Sequence, residues 1–300
     1  MRHWSLNSCT LCPRECHADR LGGQKGYCGV SGTIRAARAA LHMWEEPCIS
    51  GEKGSGAVFF SGCGLRCCYC QNREIALGES GREITVSRLS DIFLELEQKG
   101  AANLNLVTAA QYVPQVIKAL DLARSRGLKL PVIYNSGGYE KAETLRMLEG
   151  YVDVYLPDMK YMDRELARNF SNAPDYPEIA KNAIEEMVRQ TGKCFFGENG
   201  YIKKGTVVRH LILPGHTKNS IQVLEYLHRT YGDAIFISVM NQYTPIWRQE
   251  EYPELNRTVT RREYEKVLNA AIDMGIENGF FQEGETAKES FIPAFDCEGV

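Results

Sequence analysis

From residue 55 onward, short apolar runs alternate with amphipathic periods. Ala57–Phe60, Leu104–Val107, Val132–Tyr134, Val152–Leu156, Val207–Leu213 and Ile235–Met240 are apolar or β-branched stretches of strand length. Between them, apolar residues recur at i, i+3, i+4 and i+7. Leu89, Ile92, Phe93 and Leu96 mark one helix, and Val113, Val116, Ile117 and Leu120 mark the next, which Gly127 ends. Ala142, Leu145 and Leu148 mark a third, and Ile179, Ala183, Ile184 and Met187 a fourth. Another helix covers 218–231, and the last, 261–274, is opened by Thr260 and Glu263 at capping-box spacing. Six strands alternating with helices predict a parallel sheet with right-handed crossovers. In closed or partial barrels of this kind, the chemistry gathers at the C-terminal ends of the strands.

Residues 1–50 read differently. Cys9, Cys12, Cys16 and Cys28 are spaced C-x2-C-x3-C-x11-C and punctuated by Pro13, Gly26 and Gly29. This describes a small Cys-rich lobe with little core of its own, for which stapling by a metal is favoured over unligated thiols. A structural zinc and an auxiliary iron–sulfur cluster would use the same four thiolates, and both readings stand. Cys48, alone at the junction, reads as a small buried hydrophobe. The expected organisation is a 1–50 lobe and a 51–300 barrel with a C-terminal helix and tail.

Composition narrows the partners. Three hundred residues at 44% hydrophobic content suffice for one large core, and a net charge of −3 gives no electrostatic footprint for nucleic acid or a membrane surface. Met1-Arg2-His3-Trp4-Ser5 has no apolar signal region, and no stretch of about 18 apolar residues occurs, so a cytoplasmic protein is expected. Eleven cysteines in that setting argue for metal ligation rather than a disulfide framework. The Gly51–Gly56 stretch lacks the phosphate-loop pattern, and no G-x-S-x-G occurs.

The most specific chemistry follows the first strand. Cys63, Cys67 and Cys70 stand as C-x3-C-x2-C on one short loop. A cubane cluster is held by four thiolates, so three leave one iron open, as in a catalytic metal site. A zinc knuckle would want a fourth Cys or His close by.

At these residues, with Tyr69 before the last cysteine, the chain resembles the radical S-adenosylmethionine (SAM) superfamily, whose pattern is C-x3-C-x-aromatic-C. Gly56–Cys63 and Cys70-Gln71-Asn72 resemble, more narrowly, the pyruvate formate-lyase activating-enzyme group. The resemblance implies a partial (β/α)6 TIM-type barrel. It also implies a [4Fe–4S] cluster whose open iron chelates SAM, with an electron from a flavodoxin- or ferredoxin-type donor cleaving the sulfonium. The resulting 5′-deoxyadenosyl radical abstracts hydrogen, and the protein supplies positioning.

The resemblance also assigns strand ends. Asn135-Ser136-Gly137 is similar to the family's Thr-Asn-Gly stretch, which makes Asn135 and Ser136 cofactor-facing. Asp158 and Lys160 match its D-x-K motif, Lys160 donating to the SAM carboxylate while Asp158 orients it or a ribose hydroxyl. Arg209, in Val208-Arg209 before Pro214-Gly215, matches the V-R-x4-P-G strand and reaches the SAM carboxylate. His210 points to the other face and packs. After the second strand, Thr108-Ala109-Ala110 stands where many relatives carry Gly-Gly-Glu, and the loop from Met240 to Tyr243 lacks their histidine. An activase-like enzyme taking hydrogen from a glycyl or other residue of a partner protein is the first functional reading. Modification of a peptide or small molecule, with an auxiliary metal site, is the second. A non-catalytic iron–sulfur carrier or redox sensor is the third, disfavoured because carriers saturate their irons with thiolates.

Overall fold

The computed structural model describes residues 6–282 and 293–300. Met1–Ser5, which bears on an export signal, and part of the C-terminal tail lie outside them. In chain order the elements are β1 (Ile34–His42), β2 (Ser55–Phe60), α1 (Arg73–Ala76), β3 (Arg82–Ile84), α2 (Val86–Gln98), β4 (Leu104–Val107) and α3 (Val113–Ser125). They continue with β5 (Val132–Ser136), α4 (Ala142–Arg146), β6 (Val154–Pro157), α5 (Arg164–Ser171), α6 (Tyr176–Thr191), β7 (Phe195–Phe196) and β8 (Ile202–Leu211). The last are α7 (Thr217–Tyr231), β9 (Phe236–Met240), α8 (Arg261–Asp273) and β10 (Gly279–Phe281).

The ten strands form one sheet, whose path runs β10-β9-β8-β6-β5-β4-β2-β1-β3, with β7 paired to β8. From β2 to β10 along that path every pairing is parallel. The path ends on β3 and β10 without closing, so the molecule is a partial TIM-type barrel with its helices on the outer face. The six apolar runs of the sequence are β2, β4, β5, β6, β8 and β9. Four further sheet members were not legible. β1 is alanine-rich and interrupted by Arg35 and Arg38, a composition poor in strand formers, yet it pairs antiparallel with both β2 and β3. β3, β7 and β10 are two or three residues each, too short to show a period. The main sheet therefore begins at Ile34, inside the stretch that composition alone set apart. α5 was also missed; its apolar face is one turn long, and Asp163 caps it by accepting from the Glu165 and Leu166 amides. The capping box at Thr260 and Glu263 opens α8.

Alternation along the strands sorts the side chains. Ile133, Val154, Leu156 and Val207 fill the barrel interior together with Cys48 and Ile49, which plug it from the segment after β1. One pleat further along, Asn135 lies in register with Val107 and Leu156, and Arg209 with Ser238 and Asp158. The polar positions thus form a layer above the apolar plug, at the C-terminal ends.

Arg209 does not stand there alone. The chain leaves β1 and turns inward, bringing Glu45 and Glu46 against its guanidinium, all three nearly buried. Nε and Nη2 donate to the two Glu46 oxygens at 2.8 and 2.6 Å, and Nη2 also donates to Glu45. Asn105 donates to Glu45 at 2.9 Å. Burial pushes the Glu46 carboxyl up, but Arg209 and Ser238 outweigh it and hold the group below the usual glutamate range. Its contribution to stability is therefore present at neutral pH and is lost as pH falls through the carboxylate range. Arg209→Met would leave two carboxylates buried without a cation, at a cost of about 3–5 kcal/mol at pH 7. Urea unfolding should show that deficit shrinking between pH 7 and 5, because the variant's buried carboxylates, no longer facing a cation, take up protons there while the wild type keeps its Glu46 contribution until lower pH. A deficit independent of pH would contradict the arrangement.

Candidate radical-cofactor site

A cavity of about 680 Å³ occupies the barrel mouth. One wall is the loop after β2, with Cys63, Cys67, Tyr69 and Cys70; the facing walls carry Asn135, Ser136, Asp158, Lys160 and Arg209. All nine residues expected at the cofactor from the loop and the strand ends therefore border one space.

The loop is shaped by backbone constraints. Gly62 has φ +94°, and a Cβ there would sit 2.9 Å from the Cys28 carbonyl oxygen, so only glycine fits the entry. Arg66 is left-handed at φ +56°, which folds the chain back between Cys63 and Cys67. The Cys68 amide donates to Phe170 O at 2.8 Å and the Cys70 amide to Cys67 O at 3.1 Å. From the far side, Trp247 Nε1 donates to Cys70 O at 2.9 Å and Gln249 Nε2 to Cys68 O at 2.8 Å. The segment after β9 thus straps the loop, while Met240 and Gln242 line the cavity. Tyr243 is buried instead, its hydroxyl donating to Leu255 O.

Each predicted side chain has a definite partner. The Tyr69 hydroxyl bonds to Tyr161 at 2.7 Å, Tyr161 to Ser171 Oγ at 2.9 Å, and Ser171 Oγ donates to Cys67 Sγ at 3.0 Å. Tyr69 therefore acts on the loop through a hydroxyl relay that ends on a cysteine sulfur, a link invisible in sequence. Asn135 Nδ2 reaches Glu45 at 3.4 Å, and Ser136 Oγ accepts from the Gly138 amide at 3.1 Å, setting the turn after β5. Lys160 Nζ donates to Asp158. Burial alone would pull Lys160 down, but Asp158, Cys67 and Tyr176 outweigh it and raise the amine above the usual lysine range, so it stays charged. The fork of Arg209, expected to reach a ligand carboxylate, is engaged by Glu45 and Glu46. His210 is buried on the other face with Nδ1 2.7 Å from Met159 O.

His42, Trp44, Glu45 and Glu46 were missed because they end or follow a strand that sequence did not reveal. Thr108, which borders the cavity, is left-handed at φ +59°, a costly conformation for a β-branched residue; the Gly-Gly-Glu comparison pointed to it without giving its geometry.

As the side chains stand, no group of three or more His, Cys, Asp or Glu residues among those described is gathered tightly enough to hold a metal ion. Cys63, Cys67 and Cys70 face a shared space rather than a point. The donor chemistry nevertheless fits a cluster. Burial raises the Cys63 thiol and pushes Cys70 up to about 12, so the pocket disfavours free thiolates, and iron ligation would displace those protons and supply the missing positive charge. The N-terminal thiols Cys9, Cys12, Cys16 and Cys28 lie behind this loop, joined to it where the Cys63 amide donates to Cys28 O at 3.2 Å.

Among the described residues, no helix is long and apolar enough to cross a membrane. An uncharacterized protein of Methanocaldococcus jannaschii is 26% identical over 276 residues, which cover 89% of this chain and 75% of that protein. Among solved structures, the chain is similar to HydG, a maturase of the [FeFe]-hydrogenase, with a TM-score of 0.50, 14% identity and coverage of 74% of this chain and 50% of that one. It is also similar to Streptococcus suis SuiB bound to S-adenosylmethionine, with a TM-score of 0.49, 15% identity and coverage of 74% and 48%. The chain spans about half the length of these two solved chains, and the likeness to HydG is one of fold alone. The profile of the radical SAM superfamily matches residues 57–227, from β2 through most of α7. With its three-cysteine loop on the mouth of a partial barrel, the chain belongs to the radical SAM superfamily, whose enzymes use a [4Fe–4S] cluster and S-adenosylmethionine.

Proposed function

We propose that this radical SAM enzyme is activase-like and takes a hydrogen atom from a glycyl or other residue of a partner protein. The observation that carries the reading is Trp44, just beyond β1, which is 58% exposed and borders the cavity. A large exposed apolar side chain beside a polar cavity favours docking of a macromolecule.

Cys63, Cys67 and Cys70 would hold the [4Fe–4S] cluster, which with SAM supplies reductive cleavage to a 5′-deoxyadenosyl radical. The chain's own groups bind and orient. Lys160, held charged by Asp158, is the donor free of backbone duty on the wall facing the loop and suits the SAM carboxylate. Arg209 shares its charge between that region and the Glu45–Glu46 pair. Asn135 and the turn fixed by Ser136 complete the facing wall. Phe59, Phe280 and Phe281 give the cavity an apolar side that excludes water from the reacting atoms. A flavodoxin- or ferredoxin-type protein is the electron donor that this chemistry calls for.

Anaerobic protein supplied with dithionite and SAM should release 5′-deoxyadenosine and methionine, and Cys67→Ala should abolish both; turnover in that variant would refute the assignment of the loop. Lys160→Met should weaken SAM binding about 10–100-fold, the worth of one charge-assisted hydrogen bond, with the cluster's visible absorbance retained. Unchanged affinity would remove Lys160 from the site. With a deuterated cell extract, label should enter 5′-deoxyadenosine from the macromolecular fraction after dialysis. Label arriving from the dialysate instead would favour a small-molecule substrate.

A further inference from the structure

We infer that Cys9, Cys12, Cys16 and Cys28 form a second, separate metal centre, a tetrathiolate site that underpins the catalytic loop. Two independent observations carry this. The first is the gathering of the thiols. Cys28 is an electrostatic neighbour of Cys9 and Cys16, and Cys12 of Cys28 and Cys9. Gly26 lies among them, and a Cβ there would stand 3.2 Å from Cys16 Sγ and 3.4 Å from Cys28 Sγ, so a side chain at this position would crowd the sulfurs. Glu15 and His17 are left-handed, at φ +39° and +51°, and the His17 amide donates to Cys9 O, which folds the chain from Cys9 through Cys16 into a tight knuckle. His17 turns its ring to Ser8 Oγ at 3.0 Å and is engaged there. As placed, the four thiols are not drawn together tightly enough to hold a metal ion, and binding would have to draw them in.

The second observation is Arg20. It is 1% exposed, and its guanidinium bonds to carbonyls and a sulfur rather than to a carboxylate. Its partners are Cys9 Sγ at 3.6 Å, the carbonyls of Ser31 and Gln111 at 2.7 Å each, and the face of Tyr112. A buried guanidinium surrounded only by neutral groups is costly. A metal held by four thiolates carries net negative charge, and Arg20 sits where it would offset that charge as an outer-sphere donor to a ligating sulfur.

The centre would act on the loop through the backbone. The Cys63 amide donates to Cys28 O, and Gly62 packs against that same carbonyl. Gln111, whose carbonyl accepts from Arg20, donates through Nε2 to Ser61 O at 3.0 Å and Gly62 O at 2.9 Å. All four ligands come from the protein, so the centre is closed and its role is structural.

The test reads metal content, independently of SAM turnover. The full chain carrying Cys63→Ala, Cys67→Ala and Cys70→Ala, purified anaerobically, should retain about one zinc without sulfide, or about four iron with about four acid-labile sulfide. Either result establishes the centre and names its metal; retention of neither overturns it. Should the triple variant fail to fold, Cys12→Ser with Cys16→Ser in the otherwise intact chain gives the complementary reading. Its metal content should fall below wild type by one of those same increments, and an unchanged content overturns the proposal.

Discussion

Burying charge in the mouth of an open parallel sheet is the constraint on which this structure turns. Asp158, Lys160, Arg209, Glu45 and Glu46 all lie in a layer where an unpaired ion would cost several kcal/mol. Each is consequently paired, and the pairs draw distant parts of the chain together. Arg209 on β8 binds Glu46 across 163 residues of sequence, which fixes the segment after β1 over the barrel interior. That same segment places Cys48 and Ile49 as the apolar plug beneath the polar layer.

The cysteine loop is built by a complementary device. Rather than ion pairs, it is held by backbone hydrogen bonds from four sides: the N-terminal lobe through Cys28, α5 through Phe170, and the segment after β9 through Trp247 and Gln249, with Gln111 beneath its entry. Main-chain bonds leave the thiols free for ligation. The Tyr69–Tyr161–Ser171 relay, which ends on Cys67 Sγ, is the one side-chain contact of this set made to a sulfur. Fixing the loop this way keeps the donors poised at a shared space, which is what a multi-iron cofactor requires of its ligands.

Trp44, exposed beside the cavity, and the buried Glu45 and Glu46 lie next to each other in one short stretch. A single segment therefore closes the polar layer inward and turns an apolar side chain outward.

Periodicity and spacing in the sequence determined the six parallel strands, most of the helices and the three-cysteine loop, because these depend on local alternation, caps and short motifs. Asn135, Asp158, Lys160 and Arg209 were legible as strand-end residues for the same reason. Tertiary structure decided what those residues touch. β1 could not be seen because alanines and arginines carry no strand signal until β2 and β3 flank them, and with β1 went Glu45 and Glu46. The partner of a buried charge is chosen by where the fold brings opposite charge, and that information is spread over the whole chain rather than written beside Arg209.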